Sequence, residues 1–182
     1  QSNASNSSAI AIGSQTTASG DRTVALGGTA EATADFALAV GLSARAAGQA
    51  GVAIGNSART GTGTECISIG SNTGSVVSTG ARNISIGASA LDANTSGADN
   101  VSIGRDAMTT ATTASNNVSI GNNTCMNLSG GNNNTVVGYG AGSGITTGAS
   151  NLVLGLQAGS TLSSGNSNVL VGAGADVNSA TA

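Results

Sequence analysis

Histidine, lysine, proline and tryptophan are missing from this 182-residue chain, and aromatic side chains amount to one phenylalanine and one tyrosine. Without large aromatics a conventional globular core is hard to assemble, because such side chains bury the most area each. The apolar 38% is mostly Ala, Val, Ile and Leu, so any core is thin and aliphatic. Without histidine, most acid–base and nucleophilic catalytic constellations lose their usual proton carrier, and the acids Asp92, Asp99 and Asp106 are spread along the chain rather than paired. Polysaccharide-cleaving solenoids stack sugars on aromatic rows, and only Phe36 and Tyr139 are present here. The chain therefore reads as a non-enzyme without catalytic residues, metal ligands or a cofactor.

Charge is scarce as well. Five arginines against eight acids leave a net −3 with no basic run, which excludes a phosphate-binding surface and with it a nucleic-acid partner. No apolar run is long enough for a membrane-spanning helix. Cys66 and Cys125 are too few for a disulfide framework.

What the sequence does contain is repetition. A four-residue phrase, apolar–small–apolar–Gly, occurs at 10–13, 24–27, 38–41, 52–55, 67–70, 84–87, 101–104, 118–121, 135–138, 152–155 and 169–172. Its closing glycines lie 14 apart from Gly13 to Gly55, 15 apart to Gly70 and 17 apart from there to Gly172. Large residues at i and i+2 give the alternation of a strand with one buried face, while the helical i+3/i+4 recurrence is absent. A strand that repeats itself every 14 or 17 residues pairs best in parallel and in register with its own copies. The fold class is therefore all-β: a parallel β-solenoid of eleven coils with essentially no helix. Small residues after each glycine, such as Ala30, Ala32 and Ala34, then Ala44, Ala46 and Gly48, are expected to form the second strand that closes a coil. The organisation is an N-terminal extension at 1–8, 14/15-residue coils at 9–70, 17-residue coils at 71–176 and a tail at 177–182.

Two columns are singled out by the 17-residue period. Asn83, Asn100, Asn117, Asn134, Asn151 and Asn168 each precede a strand phrase and are expected to stack as a buried amide ladder, the alternative being exposed turn residues. Three residues earlier come Gly80, Gly97, Ala114, Gly131, Gly148 and Gly165, read as a turn that needs positive φ.

The large residues of each phrase are expected inside the coil and the middle residue outside. That outward stripe would run from Ala11, Ala25, Ala39 and Ala53 through Ser68, Ser85, Ser102 and Ser119 to Val136, Val153 and Leu170. An uncharged stripe ending in branched aliphatics calls for a cover, so Val136, Val153 and Leu170 are expected at a homo-oligomer interface, the alternative being a merely small-residue exposed sheet.

The phrases VAIGNSA at 52–58 and LAVGLSA at 38–44 resemble the head repeats of trimeric autotransporter adhesins. NNVSIGNNT at 116–124 and SNLVLGLQAG at 150–159 look like related repeats of phage tail fibres and bacterial surface proteins. Together these cover about residues 9 to 176. The resemblance implies a left-handed β-roll homotrimer, extracellular on a bacterial surface or virion tail, that mediates attachment to a host-cell surface or matrix receptor. It carries over no catalytic residue. A self-assembling filament subunit is the alternative, and an ice-binding solenoid a lesser one, since the expected outward stripe is Ala, Ser and Val rather than paired threonine.

Folded onto the repeat, Glu31, Arg45 and Arg59 form one edge column and Arg82 faces Asp99, both read as surface ion pairs. Asp21 and Asp35 stack as like charges, an arrangement open to a cation but without a dense acidic loop to support one. Cys66 and Cys125 lie several coils apart, beyond the reach of a disulfide within one chain. The sequons at Asn83 and Asn117 fall on the expected ladder, where a glycan would break the coil.

Overall fold

The structure is a computed structural model that describes residues 1–74 and 78–177. Its fifteen short strands are β1 (Asn3–Ala4), β2 (Ile10–Ile12), β3 (Thr17–Ala18), β4 (Val24–Leu26), β5 (Glu31–Ala32), β6 (Leu38–Val40), β7 (Arg45–Ala46) and β8 (Val52–Ile54), followed by β9 (Ile67–Ile69), β10 (Ile84–Ile86), β11 (Val101–Ile103), β12 (Val118–Ile120), β13 (Thr135–Val137), β14 (Leu152–Leu154) and β15 (Val169–Val171). The described residues contain no helix.

Every strand pair is parallel. Eleven strands, one from each phrase, form a single sheet running from β2 to β15, and each residue pairs with its own equivalent: Ile84 with Val101, Ser85 with Ser102, Ile86 with Ile103. The expected β-solenoid is therefore present. At about 4.8 Å per parallel step, the eleven-stranded wall is roughly 50 Å long.

A second sheet, β1-β3-β5-β7, closes only the 14-residue coils. Asn3 and Ala4, expected to precede the roll, already pair with Thr17 and Ala18 within it. In the 17-residue coils the opposite wall is not regular strand. The longer wall turns where Leu91, Met108 and Cys125 take φ of 54°, 51° and 47°. Successive coils are joined there by separate backbone bonds, such as Leu91 N–H to Ala107 O at 3.0 Å and Met108 N–H to Thr124 O at 3.0 Å.

The facing of the main strands is the reverse of the expectation. Ala25, Ala39, Ala53, Ser102, Ser119, Val136 and Val153, all middle residues of their phrases, are fully buried inside the coil. The flanking Val, Ile and Leu point outward and are half-buried or exposed, with Ile12 at 63% and Val171 at 65%. The cause is the width of the coil. A 14-residue turn brings its two walls so close that alanine fills the gap, with Ala25, Ala39 and Ala53 set in one cluster with Ala18, Ala32, Ala46 and Ala58. Alternation with period two separates two faces, and here the narrow face is the inner one.

Three more residues per coil admit larger side chains. Leu128, Ile145 and Leu162 stack along one interior column and are fully buried. From β10 to β14 a second column, six residues after the strand centre, varies inversely in size with that centre. Ser85, Ser102 and Ser119 are matched by Leu91, Met108 and Cys125, whereas Val136 and Val153 are matched by Gly142 and Gly159. A Cβ on Gly142 would lie 3.0 Å from Val136 Cγ1, and one on Gly159 would lie 3.1 Å from Val153 Cγ1, so a large residue at one position requires a small one at the other.

The phrase-ending glycine is required twice over. Gly121 has φ +133°, and a Cβ there would stand 2.6 Å from the carbonyl oxygen of Gly138 in the next coil. The Gly80 column has a different reason from the one expected. None of its described glycines takes a left-handed φ. A Cβ on Gly80 would instead collide with the Gly97 carbonyl oxygen at 1.9 Å, and the left-handed turn falls two residues later, at Arg82, Asp99, Asn116, Asn133, Ser150 and Ser167.

The facing makes a direct prediction. Val136→Asp places an uncompensated charge inside the coil, a change that costs about 3–5 kcal/mol. The adjacent Val137→Asp points outward and should keep the β circular-dichroism spectrum and a cooperative transition. Equal loss of structure in the two variants would contradict the assignment of faces.

Candidate functional site

The pre-strand asparagines form a continuous buried ladder. Asn100 Nδ2 donates to Asn83 Oδ1 at 3.0 Å, and the same contact recurs from Asn117 to Asn100 at 3.1 Å, Asn134 to Asn117 at 3.1 Å, Asn151 to Asn134 at 3.0 Å and Asn168 to Asn151 at 3.1 Å. Each Oδ1 also accepts the backbone N–H of the next asparagine, as in Asn134 N–H to Asn117 Oδ1 at 2.9 Å. The second amide hydrogen reaches a carbonyl in the following coil, for example Gly131 O from Asn117 at 3.0 Å. Asn83 through Asn151 are at most 5% exposed, and Asn168 is half-buried. An asparagine is required because its amide donates and accepts along one direction, which satisfies polar atoms in a corner that water does not reach.

Cys66 stands in this column one period before Asn83 and continues it with a weaker donor, its Sγ lying 3.3 Å from Gly80 O. Cys125 is interior, beside the matched Ser119. Both thiols are free and buried. Burial pushes the Cys125 thiol up to about 12, against a smaller opposing effect of the Ser119 hydroxyl, and burial raises Cys66 as well.

Val136, Val153 and Leu170 do not line an outer face. Val136 and Val153 belong to the interior cluster of the 17-residue coils, and Leu170 packs against it. The surface open to a partner is formed by their neighbours. Eleven strands present two outward positions each, and of these only Thr135 is not Ile, Val or Leu.

The charged columns behave as surface ladders. Arg45 Nε is 3.0 Å from Glu31 Oε2, and Arg59 bridges to Arg45 backbone to backbone. Arg82 grips Asp99 through two bonds of 2.6 and 2.9 Å, and that hydrogen-bonded guanidinium holds the Asp99 carboxyl below its usual range. Asp35 accepts the Asp21 backbone N–H at 2.8 Å, while Arg22 lies 3.8 Å from Asp21 and rests 5.6 Å from the centre of the Phe36 ring. Asp92 is raised by burial and by the neighbouring Asp106, which itself pairs with Arg105 at 3.0 Å. Among the described residues no three His, Cys, Asp or Glu side chains gather as metal ligands would.

Sequence reading missed a groove of about 440 Å³ on the outer wall near the C-terminal end. It is lined by Asn123, Met126, Tyr139, Gly140, Ser143, Gln157, Ser160 and Gly174, which follow the four successive strands β12 to β15. Tyr139 is 53% exposed, as is Leu156 one coil further on. The 17-residue column Asn123, Gly140, Gln157, Gly174 was the available signal, with side chains alternately present and absent.

No protein-family model matches the chain. A search of curated proteins finds no similar sequence.

Two predictions follow from the interior. Asn117→Ala leaves the Asn134 backbone N–H, one of its two Nδ2 hydrogens and Gly131 O without their partners and should destabilise the chain by about 1–3 kcal/mol, read as a lower thermal midpoint; an unchanged midpoint would mean that the column is solvated. With the Cys125 thiol at about 12, its thiolate fraction at pH 8 is on the order of 10⁻⁴. Neither cysteine should react with a colorimetric disulfide reagent until the chain is unfolded, and prompt native titration of two thiols would contradict their burial.

Proposed function

We propose that this chain is an extracellular attachment rod that works as a homotrimer, with three solenoids packed by their aliphatic faces. The observation that carries the reading is the outer face of the main sheet. Two columns of Ile, Val and Leu, interrupted only by Thr135, run along eleven strands without a charged residue, over roughly 500 Å² in flat projection. Monomeric soluble proteins seldom leave a contiguous apolar patch of that size uncovered. Because the strands are parallel and equivalent, the face is self-similar along its length and complementary to copies of itself, which cyclic symmetry satisfies. Three copies rather than two is the arrangement implied by the resemblance of the 14-residue phrases to trimeric adhesin heads. Attachment, rather than catalysis, agrees with a stiff outer surface of uncharged polar side chains. The outward aliphatics give no support to an ice-binding face of paired threonines.

Light scattering on the purified chain tests this. A homotrimer has three times the 17.0 kDa chain mass, about 51 kDa. Ile86→Asp combined with Ile103→Asp should reduce the assembly to monomers, because both side chains lie on the outer face. A stable wild-type monomer would overturn the proposal, and particles that grow end to end in electron micrographs would favour a filament subunit instead.

A further inference from the structure

The groove over Tyr139 has the composition of a sugar site. Its lining holds one aromatic ring, one thioether, two side-chain amides and two serines, and no charged side chain. Its volume lies within the range of small-molecule sites, roughly 300–1,000 Å³. Across four coils it extends roughly 14 Å along the rod, which suits a linear chain of a few sugar rings.

Its polar groups are also free to be used. Some surface amides are tied into the coils: Asn122 Oδ1 accepts Arg105 N–H, Asn132 Oδ1 accepts Ser115 N–H and Asn166 Oδ1 accepts Ala149 N–H, while the exposed Asn72, Asn116 and Asn133 are free but lie away from the groove. The side chains of Asn123, Gln157 and Ser143 and the Tyr139 hydroxyl make no hydrogen bond among the described residues.

The opening is not dictated by the backbone. Asn123 and Gln157 occupy the same left-handed corner as Gly140 and Gly174, at φ of 58° and 53°, so the corner accepts a side chain. A Cβ on Gly140 would meet only Gln157 Cγ at 3.5 Å, and one on Gly174 would meet nothing within 4 Å. Most other glycines of the coils are demanded by a neighbouring carbonyl. Gly140 lies buried beneath the Gln157 side chain, and Gly174 leaves open space beyond it.

We propose that this groove binds an uncharged oligosaccharide. The C–H face of a sugar ring would lie on Tyr139 beside Leu156, and its hydroxyls would be read by the amides of Asn123 and Gln157 and by Ser143. Anionic sugars are disfavoured: no cation lines the groove, and the carboxylate at its edge, Asp176, is already held by Ser160 Oγ and Thr161 N–H at 2.8 and 2.9 Å. This deepens the attachment reading by naming a ligand class, but the groove forms within one chain. Sugar binding by a monomer would therefore sink the trimer and leave the site standing, and a trimer without sugar binding would do the reverse.

Tyr139 is the only tyrosine and tryptophan is absent, so intrinsic emission near 300 nm, roughly, reports on this groove alone. The full chain is titrated with maltotriose, cellotriose, chitotriose and mannotriose, and with a trigalacturonate as the anionic comparison. At least one neutral sugar should give a saturable change. By calorimetry, Tyr139→Ala and Gly140→Asn should each raise its Kd by about tenfold or more, while Phe36→Ala should leave it unchanged. Absence of a saturable response to all four neutral sugars, tighter binding of the trigalacturonate, or an affinity unaffected by both groove variants would overturn the proposal.

Discussion

Everything in this fold depends on one constraint: each residue of a coil stands on its own equivalent in the next, one parallel-strand spacing away. A conformation or hydrogen bond that suits one coil is therefore propagated or penalised along the whole stack. Glycine closes every strand phrase because the carbonyl of the following coil occupies the place of a side chain, as Gly121 meets Gly138 O. Asparagine recurs at the pre-strand corner because it is the side chain whose donor meets its own acceptor one coil away, from Asn83 to Asn168. Stability is thus shared between neighbours rather than concentrated in a central core, as in other repeat architectures.

Much of this was legible in the sequence because stacking converts structure into period. The eleven phrases located the strands of the main sheet, and their 14- and 17-residue spacing gave parallel, in-register pairing. The constant Asn83 to Asn168 column identified a ladder, and its amides are bonded as expected. The facing was not legible. Alternation marks two faces, and only the closeness of the walls decides that Ala39 is inside and that Leu38 and Val40 are outside. That inversion moved Val136 and Val153 from an expected interface into the core. The Gly80 column was recognised but given the wrong cause, since φ and close approach both select glycine and sequence alone does not separate them. The reciprocal sizes of Ser102 with Met108 and Val136 with Gly142 were visible in principle, yet they acquire meaning only once the two positions are known to face one another.

The same inversion relocates the functional surface. With small residues turned inward, the branched aliphatics become the outer face of the sheet, and the proposed assembly rests on them rather than on the middle column. The proposed sugar groove over Tyr139 lies on the polar wall beyond the strand-ending glycines, where Gly140 and Gly174 omit side chains that their backbone would accept. In the proposed reading, assembly and recognition fall on different walls of one coil. The C-terminal coils, widened by Leu128, Ile145 and Leu162, carry the more varied outer surface.

The stacking constraint is tested most directly by hydrogen exchange of the asparagine side chains, followed by nuclear magnetic resonance on the uniformly labelled protein. If like stands on like throughout the stack, the Nδ2 hydrogens of Asn100, Asn117, Asn134 and Asn151 should exchange as slowly as the strand amides beside them. Loss of those signals within the dead time, while exposed asparagines such as Asn133 exchange no faster, would contradict the stacked solenoid.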